Sequence, residues 1–441
     1  MILFYLLISA MPLTRHPLWE KFVSDFTVIK YIGSACLLYA IAHGMVARER
    51  APLGESWQMR CTALLVAWAV ISYGIQGPPI GWALSPLMSY FSFLILLFVT
   101  LKIVDTPRRL RHVLWAFIAS LSLASLYVIR EWQKYHALYA YFRPGWVTGD
   151  PNYYTASVLL GIPLALVLAR ELDSRWQRLA MFGAAIVLLL GTALAASRGG
   201  LLGLLAGVIF LARRRRRLLR WALVAALLLP PALFWRSSPL ERLLHPTVSD
   251  RKAADTRLAL WQAGLDMIRR HPLAGIGLGN FKYEVQQYAP GNANLDHIAH
   301  NAYIEIAAEM GLPALFVYLW ILFAGWQSLG RAARMEELPG WMSASARGLQ
   351  AGLLSFSVSQ FFLSAQYTKM LWLVIALSAC MPMLCRVALA EAAAAAEAAE
   401  ASAPEAAAAA AAPAGAALAD FDPEMDAPLP APPVRAWENL A

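Results

Sequence analysis

The chain has 441 residues, of which 59% are hydrophobic and only 15% charged. A water-soluble chain of this length carries far more charge and divides into about three globular domains, so the composition excludes that class and points to a polytopic membrane protein. The net charge of +9 is explained first by basic residues that hold loops on the cytoplasmic side of a membrane, and no nucleic-acid partner is expected.

A membrane-spanning helix needs about 20 apolar residues. The stretch from Met1 to Leu13 is apolar, with neither a basic start nor a small-residue cleavage site. It reads as a short first span (1–14) rather than a removed signal peptide. Further spans are expected at 26–47, 61–79, 83–104, 112–132, 153–170, 178–197, 199–212, 218–236, 301–328, 345–365 and 368–389, about twelve in all. Cys36, Cys61, Cys380 and Cys385 fall in or beside these segments without metal-ligand spacing, so they are expected to be packing residues. The fold class is therefore all-α, a polytopic membrane protein of about twelve spans with one large outer loop.

Lysine and arginine in the short loops set the orientation. The run RRRRR at 213–217, with Arg220, marks a cytoplasmic loop; nucleic acid or anionic lipid is the alternative partner for that run. Counting spans in both directions then puts Arg48, Arg50, Arg60, Arg108, Arg109, Arg111, Arg170, Arg175, Arg178, Arg331, Arg334 and both termini on the same side. Two long segments, 133–152 and 237–300, face outward. The second holds Arg242, Arg251, Lys252, Arg257, Arg269, Arg270 and Lys282. Long loops translocate whatever their charge, but so many cations call for an anionic partner on the outer face.

Within the outer loop, TRLALWQAGLDMIRRHP (256–272) has Leu258, Leu260, Trp261, Leu265 and Ile268 at mostly helical spacing, with Thr256 or Asp255 as a cap and Pro272 after its end. This predicts an amphipathic helix on the membrane surface or across the bundle mouth. The following LAGIGLGNF (273–281) follows no strand, so its glycines are expected to serve close backbone packing rather than a dinucleotide. From residue 390 the chain is Ala/Pro/Glu-rich and reads as a disordered cytoplasmic tail, part of it transiently helical. The organisation is then spans one to nine at 1–236, the outer loop at 237–300, spans ten to twelve at 301–389 and the tail at 390–441.

Candidate chemistry gathers at the outer face. Arg198 lies in AASRGGLLGLLAG between two spans with almost no loop. It is either a snorkelling helix-end arginine or a flat five-donor fork suited to phosphate, with Gly199 and Gly200 letting a bulky group approach. Arg257 opens the loop helix, where the dipole disfavours a cation. His300 precedes Asn301 and the tenth span; the same dipole favours a neutral imidazole, which can act as a general base. Glu305, about one turn on, either orients that imidazole or caps the helix. Asp150 and Asn152 in GDPNYY are turn formers or sugar ligands. Asp296, His297 and His300 offer a metal only two histidines at i and i+3 and no clear fourth ligand, so no metal or other cofactor is expected. The middles of the spans carry almost no ionisable groups besides Lys30, unlike an ion-coupled transporter.

GDPNYY, then SRGG after a span, then RLALWQAGLDMIRRHPLAGIGLGNF, then HNAYIEIAAEMG resemble, in order and spacing, the motifs of the O-antigen ligase superfamily of ligases, polymerases and protein O-oligosaccharyltransferases. The resemblance covers roughly residues 25–390. It implies an inverting, metal-independent membrane glycosyltransferase of the GT-C kind in the bacterial inner membrane, with its site facing the periplasm. The implied donor is a glycan on undecaprenyl diphosphate; His300 would be the base, and Arg198 and Arg257 would bind the diphosphate. The moderate loop and the lack of an appended soluble domain favour an O-antigen ligase of lipopolysaccharide biosynthesis, with lipid A–core oligosaccharide as acceptor. A polymerase or protein O-oligosaccharyltransferase with the same donor is the alternative, and a lipid-linked glycan flippase a reading from another class.

Overall fold

A computed structural model describes residues 1–13, 25–46, 56–76, 84–138, 142–145, 149–213, 248–289 and 297–411. Among the described residues all regular structure is helical. In chain order the helices are α1 (Ile2–Ala10), α2 (Asp25–Val46), α3 (Trp57–Gln76), α4 (Leu84–Ile103), α5 (Pro107–Tyr135), α6 (Pro151–Leu159), α7 (Ile162–Glu171), α8 (Arg175–Ala195), α9 (Arg198–Ala212), α10 (Val248–Arg270), α11 (Phe281–Tyr288), α12 (Ala302–Ala332), α13 (Gly340–Ser359) and α14 (Lys369–Ala411). Among the described residues seven segments are long and apolar enough to cross a membrane: 57–75, 85–103, 107–135, 151–171, 175–195, 302–332 and 369–399. The protein is a multi-pass membrane protein, all-helical in its described residues. Seven is fewer than the twelve or so expected: α1, α9 and the apolar part of α2 (29–42) are short, α13 carries three glycines, five serines and Arg347, and the expected span 218–236 lies outside the described residues, as do Arg214–Arg217 and Arg220. The four cysteines are buried free thiols, as their apolar surroundings predict.

The chain divides into two compact units, Met1–Leu389 and Ala390–Ala441. In the second, helix continues as far as Ala411. The expected tail is thus helical at its start, as the helix propensity of alanine and glutamate allows.

In the first unit α13 lies between α7, α9 and α12, and α12 also packs on α3 and α10. The helix α9 reaches α13 through a glycine row. A Cβ at Gly203 would stand 2.4 Å from the Ser355 carbonyl oxygen, and one at Gly207 only 2.1 Å from Ser355 Oγ. Small residues at such spacing let two helix backbones meet in lipid, where apolar side chains gain little by leaving lipid for protein. The expected span 153–170 is broken at Leu160 and Gly161, just before Pro163, and the α13 backbone closes on the break: a Cβ at Gly352 would lie 2.8 Å from the Leu160 carbonyl oxygen.

A second break shapes the site. Within α12, Gly311 has φ +81° and Pro313 follows, so carbonyls one turn back lose their helical donors. All are answered from outside the helix. The Ala308 oxygen accepts from Ile276 N (2.9 Å) and the Glu309 oxygen from Gly277 N (3.0 Å). Ser72 Oγ also donates to the Glu309 oxygen (3.0 Å), and Trp68 Nε1 donates to the Met310 oxygen (2.8 Å). An unpaired backbone group in lipid costs several kcal/mol, so the break and the glycine loop 273–281 depend on each other. The loop needs Gly275, φ +72°, because a Cβ there would sit 2.3 Å from the Glu309 carbonyl. Close backbone packing is what its glycines were expected to provide.

Candidate active site

The end of α9 that begins at Arg198 is built by a tight corner. Ala196, at φ 49°, closes α8 in the left-handed region, and Ser197 caps α9 by accepting Gly200 N (3.2 Å). Arg198 is therefore the first residue of its helix, where the sequence put it. Ser197 Oγ also donates to Asn152 Oδ1 (2.8 Å), and the same oxygen accepts from an Arg143 Nη (3.2 Å). Arg143 Nε donates to the Ala195 carbonyl (3.0 Å). Asp150 caps α6 through a 2.6 Å bond from Asn152 N, with Pro151 at the first helical position. Asn152 of the GDPN turn thus ties Arg143 to the α8–α9 corner.

The loop helix differs from expectation in register. It starts at Val248, not near Asp255, so Arg257 lies in its interior and Thr256 is no cap: its hydroxyl donates to the Lys252 carbonyl (2.9 Å). The dipole argument for Arg257 therefore lapses. The buried face also differs. Leu260, Ala263 and Met267, at i, i+3 and i+7, form a small core with Phe281, Val285 and Ala299, while Leu258 and Leu265 stand exposed. What places Arg257 is the packing of α10 against α12.

Arg143, Arg198 and Arg257 line one cavity of about 150 Å³, with Asn152, Ser197, Gly199 and Gly200 on its walls and Phe362 and Leu363 beside them. A Cβ at Gly199 would meet Phe362 at 2.9 Å, so the glycine admits the neighbouring chain and with it the wall of the cavity. Burial lowers the Arg257 guanidinium's affinity for its proton; Asp150 offsets this, and Arg198 adds a smaller depressing effect. Three guanidiniums within reach of one another repel, and an anion between them relieves the repulsion.

His300 sits at the edge of this cluster. It is half-buried at φ 49°, a left-handed conformation that histidine tolerates better than most residues. Asn301 caps α12 by accepting Tyr303 N and Ile304 N (3.0 and 3.1 Å). Burial, then Arg257, push the imidazole below its ordinary 6.5; Asp150 opposes them and His297 adds to them. These influences favour the neutral ring, and their principal causes are burial and a guanidinium rather than the helix dipole. Its side chain has no hydrogen-bond partner among the described residues.

Glu305 does not touch that ring. It is buried, and its carboxylate accepts from Ala299 N (3.0 Å), the Ser364 hydroxyl and Gln366 Nε2 (2.7 Å). It fixes the backbone immediately before His300 to the loop between α13 and α14. Trp261 Nε1 holds the Ala299 carbonyl from the other side (3.0 Å), and Tyr153 donates to the Ser364 carbonyl (2.9 Å). Ser364, Gln366 and Arg143 are positions that sequence reasoning did not assign to the site. Of the other loop cations, Arg269 pairs with Asp266 (2.8 Å), and Arg270 and Lys282 lie over Tyr288 and Tyr283; none lines the cavity. Asp296 lies outside the described residues, among which no three metal-ligating side chains gather.

Residues 183–319 match the family model described as O-antigen ligase. This segment belongs to the O-antigen ligase superfamily. It carries Arg198, Arg257, His300, Asn301 and Glu305, whereas Arg143, Asp150 and Asn152 precede it. Members of the family are membrane glycosyltransferase-like enzymes, and the match supports a ligase- or polymerase-type function. No curated protein matches the chain.

Proposed function

We propose that the protein is an O-antigen ligase that transfers a glycan from undecaprenyl diphosphate to a hydroxyl of lipid A–core oligosaccharide, at the periplasmic face of the bacterial inner membrane. The observation that carries this reading is one cavity lined by three arginines beside a neutral histidine. In the proposed step the acceptor oxygen attacks the anomeric carbon and gives its proton to His300. The bond from that carbon to the diphosphate oxygen breaks with inversion, and the charge that develops on the leaving diphosphate is taken up by Arg198 and Arg257, with Arg143 beside them. Asp150 caps the turn that presents Asn152, which holds Arg143, and Asn301 and Glu305 hold His300 in place. No metal is required, since fixed guanidiniums supply the positive charge. In this orientation the loop 237–300 is periplasmic, and the opposite end of the bundle is cytoplasmic.

The test is transfer by the purified protein in liposomes supplied with polyprenyl-diphosphate-linked glycan and lipid A–core, with EDTA present. Glycan appearing on lipid A–core, and only with His300 intact, supports the ligase. Growth of glycan on the carrier would instead make the protein a polymerase, and passage of donor across the bilayer without covalent product would make it a flippase.

A further inference from the structure

At the end of the bundle away from Arg198 and His300, α7, α9, α12 and α13 leave an open groove of about 480 Å³. The 15 residues of α9 set the two ends about 22 Å apart at the α-helical rise. Four arginines from four elements reach this groove: Arg170 on α7, Arg213 at the end of α9, Arg334 just past α12, and Arg347 on α13. Among the described residues that line it, the only acidic one is Glu171. Arg170, Arg334 and Arg347 form no ion pair with any described carboxylate.

Backbone carbonyls steer two of these arginines. Arg347 donates to the Ala333 carbonyl (3.4 Å). Arg213 donates to the Phe210 carbonyl (3.1 Å) and lies 3.7 Å over the Phe210 ring. Arg334 folds back over α12 where Gly330 leaves room, its guanidinium 3.7 Å from the site of a missing Cβ. A guanidinium has five donors, so Arg170, Arg334 and Arg347 retain several. Loop arginines that fix membrane orientation need only be on one side. They need not converge from four elements on one groove.

The rest of the lining selects between kinds of anion. Leu166, Val208 and Leu211 form an apolar wall continuous with the basic rim. A free phosphate gains nothing from such a wall, whereas a lipid places its headgroup on the arginines and an acyl chain along the leucines. Basic pockets between spanning helices on the cytoplasmic side are suited to phosphate-bearing headgroups.

We propose that this groove is a binding site for an anionic phospholipid, its headgroup phosphate held by Arg334 and Arg347 with Arg170 and Arg213 at the rim. The site is separate from the proposed glycan-transfer centre and does not depend on the reaction assigned there. The test uses the full-length protein in neutral detergent. Retention of phosphatidylglycerol, phosphatidylcholine and inorganic phosphate is compared by native mass spectrometry, and thermal unfolding is followed in parallel. The wild type is expected to retain phosphatidylglycerol and to unfold at a higher temperature with it, with neither effect from the other two. R334Q/R347Q should bind phosphatidylglycerol about thirtyfold more weakly, two headgroup contacts being lost. R108Q, which removes an exposed arginine outside the groove, should bind as the wild type does. All four arginines of the groove are exposed, so these variants are expected to fold, which the unfolding curve without lipid checks. Equal retention in R334Q/R347Q and wild type would overturn the site, as would an equal loss in R108Q. Equal stabilisation by inorganic phosphate would overturn the lipid assignment.

Discussion

The two ends of the helical bundle both collect arginines, but hold them differently. At the His300 end Arg143 is bound through Nε to a helix-terminal carbonyl and through an Nη to Asn152, Arg257 is half-buried on a helix packed against α12, and the cavity is small. At the other end Arg170, Arg213, Arg334 and Arg347 are exposed around a groove three times larger. Fixed, partly desolvated guanidiniums stabilise charge that develops during a reaction, because they need not reorganise as it forms. Exposed ones in an open groove retain their hydration and suit a ligand that is already charged and stays so. The difference is what the two proposals require: reaction at the first end and binding at the second.

Substitutions can break this comparison, and the largest effects belong to the tight end. His300→Ala is expected to lower transfer by about 10²–10⁴-fold, the range for loss of a general base, with the unfolding temperature nearly unchanged. Arg257→Gln and Arg198→Gln should each reduce the rate by about 10²–10³-fold, and lysine should restore little, since it lacks the planar fork; single-turnover rates in liposomes measure both. Because burial and Arg257 depress the His300 pKa, the base is neutral to pH values below 6.5. The acidic limb of kcat/KM should therefore lie below 6.5, and Arg257→Gln, by removing a depressing charge, should move it upward.

A smaller effect is expected one layer out. Glu305→Ala leaves Ala299 N, Ser364 and Gln366 without their acceptor and should cost about 1–3 kcal/mol for each unsatisfied group, read as a lower unfolding temperature together with slower transfer. Glu305→Gln should be far milder, because Gln366 Oε1, which has no partner, can accept from the new amide. The smallest effect is at the open end: R334Q/R347Q should leave transfer within about twofold of wild type, as expected for exposed side chains remote from the chemistry.

Much of this was legible in the sequence. Apolar runs located the helices because every spanning segment must satisfy its backbone internally, and Arg198 could be placed from SRGG because so short a link leaves only a corner. Arg257 and His300 were found as polar residues at helix ends, although the helix around Arg257 was misjudged: its start at Val248 follows no strong capping signal, and its buried face runs through Ala263 and Met267 rather than the larger Leu258 and Leu265. The breaks at Gly161 and Gly311 were hidden inside apolar runs. Pro163 and Pro313 marked them, but a proline in a membrane helix is tolerated too often to be decisive. Arg143, Ser364 and Gln366 could not be found, since their roles depend on contacts across many helices and a lone serine or glutamine carries no pattern. The four-arginine groove was visible only as scattered loop charge.

The most direct test of the central claim separates binding from chemistry at the tight end. Donor binding and single-turnover transfer would be measured in the same liposome preparations of wild type, His300→Ala and Arg257→Gln. The account predicts that His300→Ala binds polyprenyl-diphosphate-linked glycan as tightly as wild type yet transfers almost none, whereas Arg257→Gln loses both. Transfer at the wild-type rate by His300→Ala, or undiminished binding and transfer by Arg257→Gln, would contradict it.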